Sequence, residues 1–290
     1  MMNNERLAAY AKLIRLDKPI GILLLLWPTL WGLWLAADGL PDFMILAIFI
    51  MGTILMRSAG CAINDFADRR IDPYVERTKN RPLAAGIVSP KEAVLLAAGL
   101  SFCAFLLVLP LNQLTLLLSV CALFLAGTYP FTKRFFVMPQ AYLGIAFSFG
   151  IPMAFAAQTG ELPAIIWLLL IANLCWVIAY DTEYAMVDRV DDLKIGIKTS
   201  AITLGHFDVI GIMLCHAVFL GVMVYVGWLL QRGAPYYLAL AMVLGLVTYQ
   251  YFLIRDRNPA RCFKAFLHNN WVGATVFAGI ALDSFMTAGF

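Results

Sequence analysis

Nine continuous apolar stretches of about twenty residues limit what this chain can fold into. They lie near residues 20–37, 44–62, 93–110, 114–131, 140–158, 163–180, 208–230, 235–254 and 270–288. Because a helix rises about 1.5 Å per residue, each stretch can cross a hydrocarbon core of about 30 Å. Only 13% of the 290 residues are charged and 62% are hydrophobic, so a water-soluble surface could not be covered. We predict an all-α polytopic membrane protein with about nine transmembrane helices, and exclude a soluble enzyme, a disordered chain and a nucleic-acid binder.

The lysine and arginine residues lie almost entirely on one side of these stretches. Nineteen of the 21 precede the first stretch or follow the second, fourth, sixth and eighth. Arg57 lies inside the second stretch, and Arg232 alone lies on the opposite side. Positive charge marks the cytoplasmic side of membrane proteins. We therefore expect a cytoplasmic N-terminal segment at residues 1–18 and a C-terminus on the other side of the membrane.

Half of the acidic residues fall into two short segments at cytoplasmic ends of apolar stretches. These residues are Asp65, Asp68, Asp72 and Glu76, then Asp181, Glu183, Asp188, Asp191 and Asp192. On a helix, the i, i+4, i+8 spacing of Asn64, Asp68 and Asp72 would place them on one face. Asp181, Asp188 and Asp192 would share a face in the same way. Like charges at such spacings repel, so each segment calls for a counter-ion.

Mg²⁺ is the counter-ion that these oxygen ligands suit best. Two facing acidic segments would hold a diphosphate between them through bridging Mg²⁺, which would also stabilise the diphosphate as it departs. The plainer alternative for either segment is a solvated helix end balanced by nearby lysine and arginine. A transporter's proton relay is another, although such acids usually lie near the middle of the membrane.

Arg57 is the one basic residue within an apolar stretch, two helical turns before Asn64 and on the same face. A charge at this depth usually faces an interior cavity. We expect Arg57 either to bind an anionic substrate group or to pair with Asp68. Other candidates for substrate binding surround the acidic segments. They are Arg77, Arg81, Tyr129, Lys133, Asn173 and Tyr180.

Four parts of the sequence together form a family pattern. Residues 57–72 contain NDFADRRID, residues 77–83 read RTKNRPL, residues 129–133 read YPFTK, and residues 180–198 begin YDTEYAMVDRVDD. They resemble, in this order, the NDxxDxxxD signature, the sequence that follows it, the YxxxK element and the second aspartate motif of the UbiA family of intramembrane aromatic prenyltransferases. The resemblance extends from about residue 12 to about residue 270.

The resemblance implies one domain over residues 1–290, with nine transmembrane helices in a ring around a central cavity. It implies cytoplasmic active-site loops at 63–92 and 181–207. The opening LDKPIG and the later LWPT are most similar to members that use 4-hydroxybenzoate. The implied reaction is Mg²⁺-dependent transfer from polyprenyl diphosphate to carbon 3 of 4-hydroxybenzoate, in bacterial ubiquinone synthesis. The implied location is the inner membrane, with a periplasmic C-terminus, and association with other enzymes of that pathway is a further expectation.

The family pattern also implies a role for each candidate residue. The expected metal ligands are Asn64, Asp68, Asp72, Asp188 and Asp192, with Asp191 as an alternative to Asp192. The expected catalytic residues are those four aspartates with Lys133 and Asp191. Lys133, Tyr129 and Arg81 would contact the diphosphate, and Arg57 would face the aromatic substrate. Either Asp191 or the departing diphosphate would take the ring proton.

Three other functions remain open at this stage. A family member with another acceptor, such as a naphthoquinone precursor, homogentisate or haem, would use the same aspartates. A secondary transporter would place its acids near the middle of repeated halves, whereas these lie at helix ends. An alcohol phosphotransferase would carry Asp-Gly and Ala-Arg ahead of its later acids, and that motif is absent from this sequence.

Overall fold

The computed structural model describes residues 2–132 and 134–287, and over that range its regular structure is helical. The helices are α1 (Met2–Leu13), α2 (Ile20–Ala37), α3 (Phe43–Asp68), α4 (Pro90–Val108), α5 (Gln113–Thr132), α6 (Pro139–Ser148), α7 (Gly150–Thr159), α8 (Ile165–Ile195), α9 (Ser200–Leu204), α10 (Asp208–Leu229), α11 (Ala234–Ile254) and α12 (Pro259–Thr287). Short 3₁₀ turns lie at Asp72–Tyr74 and Gly205–Phe207. The all-α prediction is confirmed.

Within residues 2–132 and 134–287, helices lie in all nine of the predicted apolar stretches. Eight segments of the described chain are long and apolar enough to cross a membrane, and α12 is not among them. The first half of α12 carries Arg261, Lys264 and His268, so its apolar part is short. Two of the described helices, α6 and α7, share the fifth stretch. Pro152 explains the break, because its ring clashes with the carbonyl of Ser148, the last residue of α6.

Local sequence signals fix where the helices around the cavity begin. The Asp42 carboxylate accepts hydrogen bonds from the backbone N–H groups of Met44 at 2.8 Å and Ile45 at 3.0 Å, which caps α3. Ser89 and Glu92 form a reciprocal capping box at the start of α4. Both caps satisfy backbone donors that would otherwise lack partners at a helix end.

The helices form a closed ring in which chain neighbours pack side by side. The order runs from α2 through α5, then to α6 and α7, α8, α10, α11 and α12, and α12 contacts α2. One half of the ring is filled by side chains. Trp31, Trp176 and Phe219 form its aromatic centre, with the two tryptophan ring centroids 5.2 Å apart.

The other half of the ring encloses a cavity of about 1340 Å³. Its described lining comes from α2 to α8, the N-terminal segment, the loops that follow α3 and α8 and the start of α12, with no contribution from α10 or α11. The cavity is therefore off-centre. On α3 the lining runs from Ile48 to Asp68, which is about 30 Å of helix. The cavity thus reaches from the acidic end of the bundle to its far side.

The two predicted active-site loops differ in structure. Residues 63–68 still belong to α3, and the chain then forms a loop that ends at Ser89, where α4 begins. The second segment was also expected as a loop at 181–207, but it is helical as far as Ile195 because α8 continues beyond its apolar part. The acidic residues of that segment are consequently held on a rigid helix.

Candidate active site

The first acidic segment reaches the cavity mouth from α3 and the following turn. Asn64, Asp65, Asp68 and Asp72 all line the cavity. The predicted helical periodicity extends only to Asp68, because α3 ends there. Asp72 returns to the mouth through the 3₁₀ turn, where the Thr78 hydroxyl donates to its backbone carbonyl at 2.9 Å.

The second acidic segment faces the first from α8. Asp181, Asp188 and Asp192 line the same cavity. Asp191 lies outside that lining, and it accepts hydrogen bonds from Lys194 Nζ at 3.1 Å and from the backbone N–H of Glu76 at 3.5 Å. Of the two adjacent acids, Asp192 is therefore the one that lines the cavity. The role of Asp191 in taking the ring proton stays a prediction.

Arg77 connects the two acidic segments across the mouth. Its Nε donates to Asp188 Oδ1 at 2.9 Å and Oδ2 at 3.0 Å, and its Nη2 also contacts Oδ2. Its guanidinium lies over the Tyr184 ring, 4.6 Å from the centroid. A cation from the first loop thus neutralises an acid of α8.

Arg81 has the corresponding position beside the first segment. Its Nη1 donates to Asp72 Oδ2 at 2.9 Å and to Asp65 Oδ1 at 3.1 Å. Burial raises the pKa of Asp72, and Arg81 opposes this shift while Asp65 and Asp68 add to it. Burial alone would lower the pKa of Arg81, but Asp65 and Asp72 raise it overall. This cluster therefore favours a cation next to Asp72.

Arg57 lies deeper in the cavity wall. Its Nη1 contacts Cys61 Sγ at 2.9 Å, and its guanidinium carbon lies 5.8 Å from the Phe147 ring centroid. The backbone of Gly21 lies so close that an added Cβ would be 2.5 Å from Nη2. Among the described residues, the buried Nε has no hydrogen-bond partner. An unused buried donor on a cavity wall indicates a place for an anionic or polar ligand atom.

The remaining predicted residues divide into three groups. Tyr129 and Tyr180 line the cavity, and the buried Tyr180 hydroxyl has no hydrogen-bond partner among the described residues. Asn173 was predicted to line the cavity, but it does not. It is fully buried and its Nδ2 donates to Ser148 Oγ at 2.9 Å, so it joins α8 to α6. Lys133 lies outside the described residues.

Sequence reasoning missed the contribution of the N-terminal segment. Lys12, Arg15, Asp17 and Lys18 line the cavity mouth. The charge distribution predicts basic residues in this segment only as markers of the cytoplasmic side. It therefore does not distinguish Arg15 from Lys12 or Lys18 as a residue of the site. Asp17 and Lys18 belong to the LDKPIG sequence, which indicates the family but assigns no role to either residue.

The donor set suits a hard divalent cation that arrives with a phosphate ligand. No group of three or more His, Cys, Asp or Glu residues is preassembled for a metal within residues 2–132 and 134–287. Mg²⁺ is commonly held by only one or two carboxylates, with substrate phosphates and water completing the shell. Asp68, Asp72, Asp188, Asp192 and the Asn64 amide provide such oxygens around one mouth. They fit Mg²⁺ bridging to a diphosphate rather than a closed protein site.

Comparison with known proteins identifies the family. The model of the UbiA prenyltransferase family matches residues 25–273. The chain belongs to this family. A 4-hydroxybenzoate octaprenyltransferase of Nitrosomonas europaea is 75% identical over 280 residues, covering 97% of this chain and 96% of that protein. One from Thiobacillus denitrificans is 64% identical over 289 residues, covering 100% and 99%.

Solved structures agree with the fold of this UbiA family member. The apo structure of a UbiA homolog from Aeropyrum pernix K1 has a TM-score of 0.79 at 26% identity, covering 90% of this chain and 97% of that one. A UbiA homolog from Archaeoglobus fulgidus, bound to GPP and Mg²⁺, has a TM-score of 0.73 at 18% identity, covering 94% and 99%. At that lower identity the likeness concerns the fold alone.

Proposed function

We propose that this enzyme transfers a polyprenyl group from polyprenyl diphosphate to carbon 3 of 4-hydroxybenzoate, in ubiquinone synthesis. The observation that carries the proposal is the meeting of two acidic segments at the mouth of a long apolar cavity. The acids suit a metal-bound diphosphate, and the cavity suits a long hydrocarbon. The names of the close relatives support 4-hydroxybenzoate as the acceptor and an eight-unit prenyl chain.

The charged mouth binds and activates the diphosphate. Asn64, Asp68, Asp72, Asp188 and Asp192 would hold Mg²⁺. When bound there, Mg²⁺ would neutralise charge on the diphosphate and make it a better leaving group. Arg77 and Arg81 supply guanidinium groups that match phosphate oxygens bidentately. Tyr129 and Lys133 are the further contacts that we assign to the diphosphate.

The apolar wall holds the hydrocarbon and keeps water away. Phe49, Phe102, Phe105, Val108 and Leu123 line the cavity between the mouth and the far side of the bundle. When the allylic carbon–oxygen bond breaks, its electron pair leaves with the diphosphate and an allylic cation remains. An enclosure without water prevents hydrolysis of that cation before the acceptor reacts.

Arg57 orients the acceptor. Its buried, unused Nε, together with Nη2, offers two donors to the carboxylate of 4-hydroxybenzoate. The ring is most electron-rich ortho and para to its hydroxyl, and the para position carries the carboxylate. Carbon 3 therefore attacks the allylic carbon and forms the new carbon–carbon bond. The proton on carbon 3 then passes to an oxygen of the departing diphosphate.

We also propose a bacterial inner-membrane location with the acidic mouth in the cytoplasm and the C-terminus in the periplasm. In support, the N-terminal segment contacts the mouth through Arg15 and Asp65, at the end where basic residues concentrate. At the other end, Arg232 pairs with Asp38 at 2.9 Å. Association with other enzymes of the pathway stays a prediction.

Transfer of label tests the proposed reaction. Membranes that contain the enzyme receive ring-labelled 4-hydroxybenzoate and octaprenyl diphosphate, with Mg²⁺ or with EDTA. We expect label to enter the organic phase only with Mg²⁺, and Asp68→Asn membranes to show none. Prenylation of another labelled aromatic compound from a panel, but not of 4-hydroxybenzoate, would assign that compound as the acceptor instead. Failure to bind or consume octaprenyl diphosphate would reject the prenyl transfer itself.

A further inference from the structure

Asp65 is a buried carboxylate of α3 that joins two other segments at the cavity mouth. Its side chain is 1% exposed. Arg15 Nη2 donates to Oδ1 at 2.8 Å and Oδ2 at 3.0 Å, and Arg81 Nη1 donates to Oδ1 at 3.1 Å. Both oxygens are therefore already engaged by guanidinium protons. A carboxylate held in this way serves as an anchor for arginines more readily than as a ligand for a metal ion.

Arg15 reaches Asp65 from a backbone conformation that is uncommon for its residue type. Its φ is 59°, in the left-handed region that residues other than glycine rarely adopt. Its Nη1 donates to the carbonyls of Lys12 at 2.7 Å and Leu13 at 3.2 Å, which closes the end of α1. Such a conformation persists when surrounding contacts determine it. The Asp65 ion pair is one of these contacts, and it places Arg15 in the cavity lining.

Arg81 is shared between two acids with different surroundings. It contacts Asp72, which we assign to the metal, and Asp65, which belongs to the protein interior. If Asp72 held a metal ion, Arg81 would lose one of its two partners. Asp65 would still hold it, because both Arg15 and the buried backbone of α3 keep this carboxylate in place. The guanidinium would therefore remain directed at the mouth in the loaded enzyme.

We propose that Asp65 is a positioning residue, which keeps Arg81 and Arg15 aimed at the diphosphate without touching substrate or metal. This role rests on the proposed function, because it assigns Asp65 to the diphosphate end of the same site. It adds the N-terminal segment to the diphosphate-binding surface through Arg15. We therefore expect the dependence of the reaction rate on Mg²⁺ to change when Asp68 or another proposed metal ligand is replaced, and not when Asp65 is replaced.

The central test compares Asp65→Asn with the wild type. Loss of charge at position 65 loosens both guanidinium groups, so we expect KM for octaprenyl diphosphate to rise by about tenfold or more. We expect kcat and the Mg²⁺ concentration for half-maximal rate to stay close to wild type, whereas Asp68→Asn should change the metal requirement. Binding of an octaprenyl thiolodiphosphate, which does not turn over, should weaken by the same factor as KM rises.

Variants at Arg15 test the role without changing α3. Arg15→Gln should raise KM for octaprenyl diphosphate by several-fold. Arg15→Lys should restore only part of the affinity, because an ammonium group can re-form the ion pair with Asp65 but cannot also bind the carbonyls of Lys12 and Leu13. Arg6→Gln is the matched control, since Arg6 lies in the same segment, pairs with Glu92 and is 62% exposed. It should behave as wild type. If Asp65→Asn fails to fold, the Arg15 series decides the question.

Two results would overturn the positioning role. One is wild-type KM and analogue affinity in both Asp65→Asn and Arg15→Gln. The other is a Mg²⁺ requirement that rises in Asp65→Asn as it does in Asp68→Asn, which would make Asp65 a metal ligand. Either result, obtained with an active wild-type enzyme, leaves the proposed reaction intact. A wild-type enzyme that neither binds the analogue nor transfers a prenyl group would instead reject the proposed function.

Discussion

Arg57 is a cation in the wall of an otherwise apolar cavity. A charge at this depth is costly, and the structure offsets the cost only in part. Cys61 and the Phe147 ring are weak partners for a guanidinium, and Nε donates to none of the described residues. A substrate carboxylate would supply the missing charge. A bound anion therefore explains an arginine at this position better than its contacts within the protein do.

Replacing Arg57 should affect the acceptor more than the donor. We expect Arg57→Met to raise KM for 4-hydroxybenzoate by about tenfold to a hundredfold, because a charge-assisted contact contributes about 1.5–3 kcal/mol. KM for octaprenyl diphosphate should change little. Steady-state kinetics with each substrate varied in turn measures both. Methyl 4-hydroxybenzoate, which lacks the carboxylate charge, should react equally with both enzymes, and an unchanged KM for 4-hydroxybenzoate would contradict the assignment.

Gly21 offers an independent way to move the same guanidinium. An added Cβ would lie 2.5 Å from Arg57 Nη2, and the atoms in its way belong to the flexible end of that side chain. Gly21→Ala should therefore fold, displace Arg57 and raise KM for 4-hydroxybenzoate by about tenfold. Gly99→Ala is the matched control, because its added Cβ meets no atom within 4 Å. Equal kinetics for the two alanine variants would show that Arg57 does not depend on this contact.

At the scale of elements, Asp208 holds together the ends of several helices near the acidic mouth. This first residue of α10 is fully buried. Its carboxylate accepts from Arg189 Nη1 of α8 at 3.0 Å and from Arg257 Nε, between α11 and α12, at 2.9 Å. Arg189 directly follows Asp188, so this cluster fixes the height and rotation of α8 at the mouth. The second acidic segment depends on it for position.

Removing the charge of Asp208 should destabilise the bundle. We expect Asp208→Asn to lower the free energy of unfolding by about 2 kcal/mol, because two arginines lose a charged partner and one of them faces an amide NH₂ group in place of an acceptor oxygen. Asp256→Asn is the control, since Asp256 pairs with Arg261 but is 54% exposed, and its loss should cost at most about 0.5 kcal/mol. Thermal unfolding in detergent compares the two. Equal melting temperatures would contradict the role of Asp208.

The course of the helices could be predicted from sequence only in part. Apolar length located each membrane-sized element, but it could not show that α8 continues to Ile195, because that extension is polar. The end of α3 before Asp72 had a signal that was not used, since Pro73 disfavours a helical conformation at the residue before it. Asn173 was misplaced because a polar residue in such a helix can face a neighbouring helix as well as a cavity.

At the scale of the whole molecule, the ring is divided into a packed half and a hollow half. The meeting of the two acidic segments could be predicted, because their charge and spacing are properties of the sequence. The division of the ring could not, since it depends on which large side chains meet. Trp31, Trp176 and Phe219 come from three separate helices, and their contact fills the half opposite the cavity.

The length of the hollow half should determine which prenyl chains the enzyme accepts. Gly52 of α3 lines the cavity about 24 Å along the helix from Asp68, and a Cβ added there meets no atom within 4 Å. Gly52→Leu should therefore fold and obstruct the far part of the cavity. A long chain would lose its path, whereas a short chain, held near the mouth, would not reach the new side chain.

We expect Gly52→Leu to lower kcat/KM for octaprenyl diphosphate by about tenfold or more, because the apolar contacts of the last prenyl units are lost. The value for geranyl diphosphate should stay near wild type. Competition between the two donors, with product chains separated by chromatography, measures the change in one reaction. Gly245→Leu is the control, since Gly245 of α11 is exposed outside the cavity and its added Cβ also meets no atom. A parallel fall for both donors would mean that the leucine disturbs the mouth, and that the prenyl chain lies elsewhere.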